Sequence, residues 1–196
     1  MLFRSYRAVA LFAADNNIDT ADRPAVAEML KDLKIRMAFE EGRRQKIFIN
    51  GAEAGDRIRL NAISKIASDI SAYQEVRAFL LDLQREIARE NDVVMDGRDI
   101  GTVVLPDAQI KIFLTATPKE RARRRFEELC LRGQKADYDE ILKEVRQRDD
   151  NDTNRPIAPL KKADDAILID TTGNALEQSV DLLIALVRGK LEKQVF

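Results

Sequence analysis

Histidine and tryptophan are both absent from this chain, and cysteine occurs once, as Cys130. Losing histidine removes the commonest general base near neutral pH and the commonest metal ligand, and with them Ser-His-Asp, Cys-His and histidine-zinc chemistry. One cysteine cannot close an intrachain disulfide, so a reducing cytoplasm is the expected location, with Cys130 packing in a helical pattern after Leu129. No apolar run approaches the roughly 20 residues of a membrane span, and Met1-Leu2-Phe3-Arg4 is not followed by a signal-peptide core. Charge is balanced as well: Lys+Arg of 33 against Asp+Glu of 34 leave a formal net charge of -1, so no global attraction draws the chain to nucleic acid or to a membrane.

What remains favours fixed positive charge over proton shuttling. The basic residues divide into 21 Arg and 12 Lys, and the planar five-donor guanidinium suits bidentate phosphate binding better than an ammonium does. Phosphoryl transfer runs mainly on positioning and electrostatic stabilisation, so it fits this inventory. With 196 residues and 45% hydrophobic content, the chain is long and apolar enough for one domain with a small inserted lobe.

Two segments concentrate the charge. Asp96-Gly97-Arg98-Asp99 follows the apolar run Val93-Val94-Met95 and precedes Ile100-Gly101-Thr102-Val103-Val104-Leu105-Pro106-Asp107-Ala108. A core strand ending in two carboxylates and a guanidinium places them at the carboxyl edge of a sheet, where open α/β folds bind ligands. Taken alone, Asp-Gly is more often a plain turn. The second segment, Arg146-Gln147-Arg148-Asp149-Asp150-Asn151-Asp152-Thr153-Asn154-Arg155, again packs arginines with carboxylates.

The pattern predicts a helix over residues 6–16 and a second opened by Asp22 and Pro24. Short extended stretches at 35–39 and 46–49, with turn signals at Glu41-Gly42 and Asn50-Gly51, predict an antiparallel insert. Asn61 is placed to cap a helix running to Ile70, and residues 75–91 read as a longer helix with Val76, Phe79, Leu80, Leu83 and Ile87 inward. Residues 92–95 and 109–114 read as strands of a sheet covered on two faces. Thr117-Pro118-Lys119-Glu120 is a capping box opening a helix to Gly133. Helix 138–150, strand 166–169 and a C-terminal helix from Asn174 and Glu177 complete an order that implies a parallel sheet with helices on both faces. On the Thr117 helix, Ala122, Phe126 and Leu129 share one face. Arg121, Arg124, Arg125 and Arg132 lie opposite, and such a cluster repels itself unless an anion sits among its members.

These residues resemble the bacterial cytidylate kinase family. Asp96 through Val104 with Pro106-Asp107-Ala108 resembles that family's central signature. Arg148 through Asp152, Asn154-Arg155 and Ala158-Pro159-Leu160 resemble its lid signature, and the likeness, which includes Tyr6-Arg7, covers essentially the whole chain. The resemblance implies an α/β, P-loop nucleoside monophosphate kinase-like fold: a core over 1–34 and 71–196 with a helical lid at about 121–157, and a nucleotide-binding insert over 35–70. It implies transfer of the γ-phosphoryl group of ATP, with Mg²⁺, to CMP or dCMP in the cytoplasm, by a monomer with no nucleic-acid or membrane partner. Arg98, Asp96 and Arg148 then look like the catalytic set. Arg7, Arg98 and Arg155 look like the acceptor-phosphate arginines, Ser68, Arg148 and Asp152 the sugar contacts, and Arg77 with Asp99 the pair that reads cytosine. Arg121, Arg124 and Arg125 resemble the residues that approach the ATP phosphates, and the metal ligands stay unassigned.

The chain departs from the family in one large respect. Its glycines stand at 42, 51, 55, 97, 101, 133, 173 and 189, so no G-x-x-x-x-G-K-[ST] phosphate-binding loop is present. The Asp-[Ser/Thr]-Gly expected before Tyr6-Arg7 is replaced by Met1-Leu2-Phe3-Arg4-Ser5. The expectation is therefore a fold lacking its first strand and P-loop, either an N-terminally truncated kinase with little activity or a non-catalytic CMP-binding remnant. A third reading, an aspartyl phosphatase loop, wants Asp-x-Asp after the strand where Asp96 and Asp99 give Asp-x-x-Asp.

Overall fold

The computed structural model describes residues 2–39 and 45–192; the expected turn at Glu41-Gly42 lies outside them. The chain divides into two compact units, Met1–Ile100 and Gly101–Phe196. The first is built around helix α1, Leu2–Asp15. Ala8, Val9, Ala10, Leu11 and Ala13 on this helix are all buried, and burial of consecutive positions means that α1 is enclosed on more than one side. Helix α2, Arg23–Met29, starts where the Asp22 carboxylate accepts from the Ala25 amide at 3.0 Å.

Strands β1, Ile35–Phe39, β2, Gln45–Ile49, and β3, Ala52–Glu53, form an antiparallel sheet in that order. The β2–β3 turn carries Asn50 at φ 47° and Gly51 at φ 87°, the doubly left-handed geometry of a tight hairpin. Helices α3, Asn61–Ile70, and α4, Gln74–Glu90, follow. Asn61 is the first helical residue, and Leu60 occupies the capping position without a side-chain bond, so the expected Asn61 cap is corrected. Ile47, Ala54, Ile58, Ile63, Ala67 and Ile70, all from the 35–70 segment, enter the same core as Val9, Val26, Val76 and Leu80.

In the second unit β4, Ile112–Thr115, and β5, Ile167–Asp170, are parallel, with Ile112 opposite Ile167 and Thr115 opposite Asp170. Helix α5, Pro118–Leu131, and helix α6, Tyr138–Asn154, pack through Ala122, Leu129 and Ile141, with the Phe126 and Tyr138 rings edge to face at 6.3 Å. Helix α7, Leu176–Glu192, ends the described chain. Among the described residues no helix is long and apolar enough to cross a membrane.

The α/β class and a parallel strand pair are as expected from the pattern; two features differ. Residues 92–95 form no strand, and Val94 is 92% exposed. Three apolar residues mark a segment suited to burial, but a strand exists only where a neighbour completes the hydrogen-bond ladder. The β4–β5 pair is also not covered on both faces: the register puts Leu114 and Leu168 on opposite sides, and they are 53% and 59% exposed.

This contrast sets a stability expectation. Leu80 is fully buried, so Leu80→Ala should cost about 2–5 kcal/mol through lost burial and a residual cavity. Leu168→Ala should stay within about 0.5 kcal/mol, as an exposed site does. Urea denaturation of the two variants against the parent checks the difference.

Candidate functional site

In the first unit the two members of the proposed base-reading pair are brought together. Arg77 sits in the first turn of α4 and Asp99 follows the 92–96 segment, at 8% and 5% exposure, and their guanidinium and carboxylate form a direct ion pair. Removing two charges from water is costly unless each is compensated. Arg77 therefore makes a second bond, donating from its other terminal nitrogen to the Ser71 carbonyl at 3.1 Å, and its Cζ lies 5.8 Å from the centre of the Tyr6 ring. Asp96 is exposed and Arg98 half-buried on the same short stretch.

Arg7, one residue beyond Tyr6 on α1, donates to the Ile58 carbonyl at 2.9 Å and to the Ser64 hydroxyl at 3.1 Å. Ser64 and Ser68 are four residues apart on α3 and share one helix face. Arg7 is thus held one helical turn from half-buried Ser68. Neither Ser64 nor Ser71 carries a sequence signal for these roles. The first is an ordinary helix serine, and the second acts through its backbone, which carries no side-chain signal.

In the second unit the Thr117 hydroxyl accepts from the Glu120 amide at 3.3 Å and Pro118 follows it, but the reciprocal half of the expected capping box is not made: the Thr117 amide donates to the Thr172 hydroxyl at 2.9 Å, while Arg123 and Arg124 take the Glu120 carboxylate. The basic face of α5 is answered from within the chain. Arg121 bonds both Asp149 carboxylate oxygens, at 2.9 and 2.5 Å. Arg125 pairs with Glu128 at 2.9 Å, and Arg132 pairs with the same residue at 2.6 Å. Arg124 bonds Glu120 at 2.8 Å, the Thr171 hydroxyl at 3.3 Å and the Thr171 and Asn174 carbonyls. The expectation that this face needs a bound anion to offset its repulsion is corrected: neighbouring carboxylates already do so.

Helix α6 runs four residues past the expected end at 150, as far as Asn154. This extension gathers the lid signature. Arg148 and Asp152 face each other one turn apart at 3.8 Å, and Arg155 reaches Asp152 at 3.6 Å. After the helix, Arg155 donates to the Ala158 carbonyl at 2.6 Å and the Leu160 amide donates to the Asp152 carbonyl at 2.7 Å. Ala158 lies at φ 49°, a left-handed conformation costing a non-glycine residue about 1–2 kcal/mol, so those bonds fold the tail against a local strain. Gly101, in the central signature, lies under the Lys111 stem: a Cβ there would meet Lys111 Cδ at 3.3 Å, while Lys111 Nζ bonds Asp165 at 2.7 Å.

A sequence profile of the family described as cytidylate kinase matches residues 4–189. The chain belongs to the cytidylate kinase family. The cytidylate kinase of Caldicellulosiruptor bescii is 44% identical over 190 residues, covering 97% of this chain and 84% of that protein. That of Carboxydothermus hydrogenoformans is 45% identical over 187 residues, or 94% and 83%. That of Bacteroides thetaiotaomicron is 43% identical over 183 residues, or 91% and 80%.

One carboxylate in this cytidylate kinase family member titrates far from its ordinary range. The hydrogen bond from Arg123, and after it that from Arg124, lower the Glu120 carboxyl from 4.5 to about 2 against an opposing effect of desolvation. A depressed carboxylate contributes stability that is complete above its unfolded value and lost as pH falls through the folded one. The Glu120 share should therefore disappear between about pH 4.5 and pH 2. Circular-dichroism melts across that window should show a shallower fall for Glu120→Gln than for the parent.

Proposed function

We propose that the chain takes CMP or dCMP as phosphoryl acceptor and ATP as donor, in the transfer that yields CDP or dCDP in pyrimidine nucleotide metabolism. The observation that carries this reading is the buried Arg77–Asp99 pair. A carboxylate accepts from the exocyclic amine of cytosine, and a guanidinium with five donors can serve its ring nitrogen and carbonyl while keeping its protein partners. Uracil presents a carbonyl where cytosine presents the amine, which would leave Asp99 facing a lone pair at a cost of about 1–3 kcal/mol.

The other roles follow the same chemistry. In the first unit Arg7 and Arg98 hold the acceptor phosphate, Ser68 contacts the sugar, and Asp96 stands beside Arg98 in the catalytic set. In the second unit Arg148 and Asp152 take the sugar hydroxyls, Arg155 a phosphate, and Arg148 also stabilises charge on the group in transfer. Guanidinium groups suit that work because the transition state spreads negative charge over peripheral oxygens. Arg121, Arg124 and Arg125 approach the ATP phosphates, exchanging intrachain carboxylate and carbonyl partners for phosphate oxygens. Mg²⁺ in such chemistry rests on substrate phosphates with one or two protein carboxylates. Among the described residues no group of three or more acidic side chains is placed to cage a metal, so the ion would enter with ATP.

A second reading, a CMP-binding protein that transfers nothing, is favoured by one observation: these 196 residues contain no G-x-x-x-x-G-K-[ST] loop to cradle the donor phosphates. Two measurements test the proposal. Asp99→Asn should narrow the CMP:UMP affinity ratio in calorimetric titration, because an amide can present either a donor or an acceptor; an unchanged ratio places base reading elsewhere. In a coupled ADP-release assay the 196-residue chain should convert CMP measurably but, without a P-loop, far below the roughly 1–100 s⁻¹ of ordinary kinases; no conversion at all would overturn the proposal in favour of the second reading. A rate within that range would assign the donor phosphates to residues other than a P-loop and remove the second reading.

A further inference from the structure

Two hydrogen bonds do not fully orient a guanidinium. Arg77 is held at one terminal nitrogen by the Ser71 carbonyl and at the other by Asp99. The side-chain stem, attached at Nε through several rotatable bonds, limits but does not fix the tilt of the guanidinium plane about the line through those nitrogens. That tilt decides whether the remaining N–H groups lie in the plane of a base. Tyr6 supplies the missing constraint: its ring centre is 5.8 Å from Arg77 Cζ, within the reach of a cation–π contact. The ring is itself fixed, because Tyr6 packs against the first unit's core and its neighbour Arg7 is tied to Ile58 and Ser64.

We propose that Tyr6 is a positioning residue for base discrimination, its aromatic face holding the Arg77 guanidinium at the tilt from which Arg77 and Asp99 read cytosine. The proposal rests on the reading of that pair given above. It differs from a packing role in its consequence. A residue that only fills space changes the affinity for CMP and UMP together, whereas one that aims Arg77 changes their ratio.

The test titrates CMP and UMP, to millimolar concentration and with NMR detection, into the parent chain and into Tyr6→Phe, Tyr6→Leu, Tyr6→Met and Asp99→Asn, with a melting temperature for each. Tyr6→Phe keeps the aromatic face and should leave the CMP:UMP ratio within about twofold of the parent. Tyr6→Leu and Tyr6→Met fill similar space without the face and should lower the ratio by about threefold or more. Met adapts to irregular gaps, so it carries the measurement if Leu unfolds the chain. An unchanged ratio in the ring-free variants, beside a collapsed one in Asp99→Asn, overturns the proposal and leaves the cytosine reading standing. A loss in Tyr6→Phe as large as in Tyr6→Leu also overturns it, because the hydroxyl and not the ring face then matters. An unchanged ratio in Asp99→Asn removes the reading of the pair, and the inference with it.

Discussion

A guanidinium buried at the start of a helix constrains everything packed around it. Arg77 lies between α1 and the segment leading to Asp99, and its charge is compensated by a carboxylate, a backbone carbonyl and an aromatic face drawn from three stretches of chain. Removing one partner from such an arrangement strands the other in a low-dielectric interior, which typically costs several kcal/mol. The register of α4 against α1 and the course of the chain through Asp96-Gly97-Arg98-Asp99 are therefore coupled. On the reading proposed above, a base entering beside this pair would meet groups whose reorganisation has been largely completed by folding.

The second unit manages a larger density of charge in a different way. Arg121, Arg123, Arg124 and Arg125 on α5, and Arg132 directly after it, all have carboxylate partners on α5 or α6. Most of these groups are partly exposed, so the individual pairs add little to stability. Their effect is on the state in which a ligand finds the surface. On the proposed donor role of this face, a phosphate arriving there would compete with carboxylates instead of filling an empty positive field, which would favour an oligophosphate able to engage several guanidiniums at once.

Much of this was legible in the sequence where local chemistry decides the outcome. The capping signals at Asp22 and Thr117, the apolar face of α4 from Val76 to Leu83, without the expected Ile87, and the turn at Asn50-Gly51 correspond to structure. The strand expected at residues 92–95 is absent because an apolar run reports suitability for burial but not the presence of a pairing neighbour. Helix α6 outruns its expected end by four residues because Asp-Asp-Asn-Asp, a poor helix-forming run by propensity, signals an earlier stop. In the structure Arg121–Asp149 and Arg148–Asp152 span that run. The contacts of Arg7 with Ser64 and of Arg77 with Tyr6 join residues 57 and 71 positions apart, a separation to which no periodicity is sensitive.

The continuity of α6 has a mechanical consequence. Asp149, which clasps Arg121 of α5, lies in the same unbroken helix as Arg148 and Asp152, and Arg155 is bonded to that helix's last turn. A loop carrying these groups would let each seek a ligand separately, with an ordering cost for every side chain. On one rigid rod they share a single coordinate. On the roles proposed above, any movement of α6 would carry its sugar-facing and phosphate-facing groups together, so that they engage as a unit, like the teeth of one key.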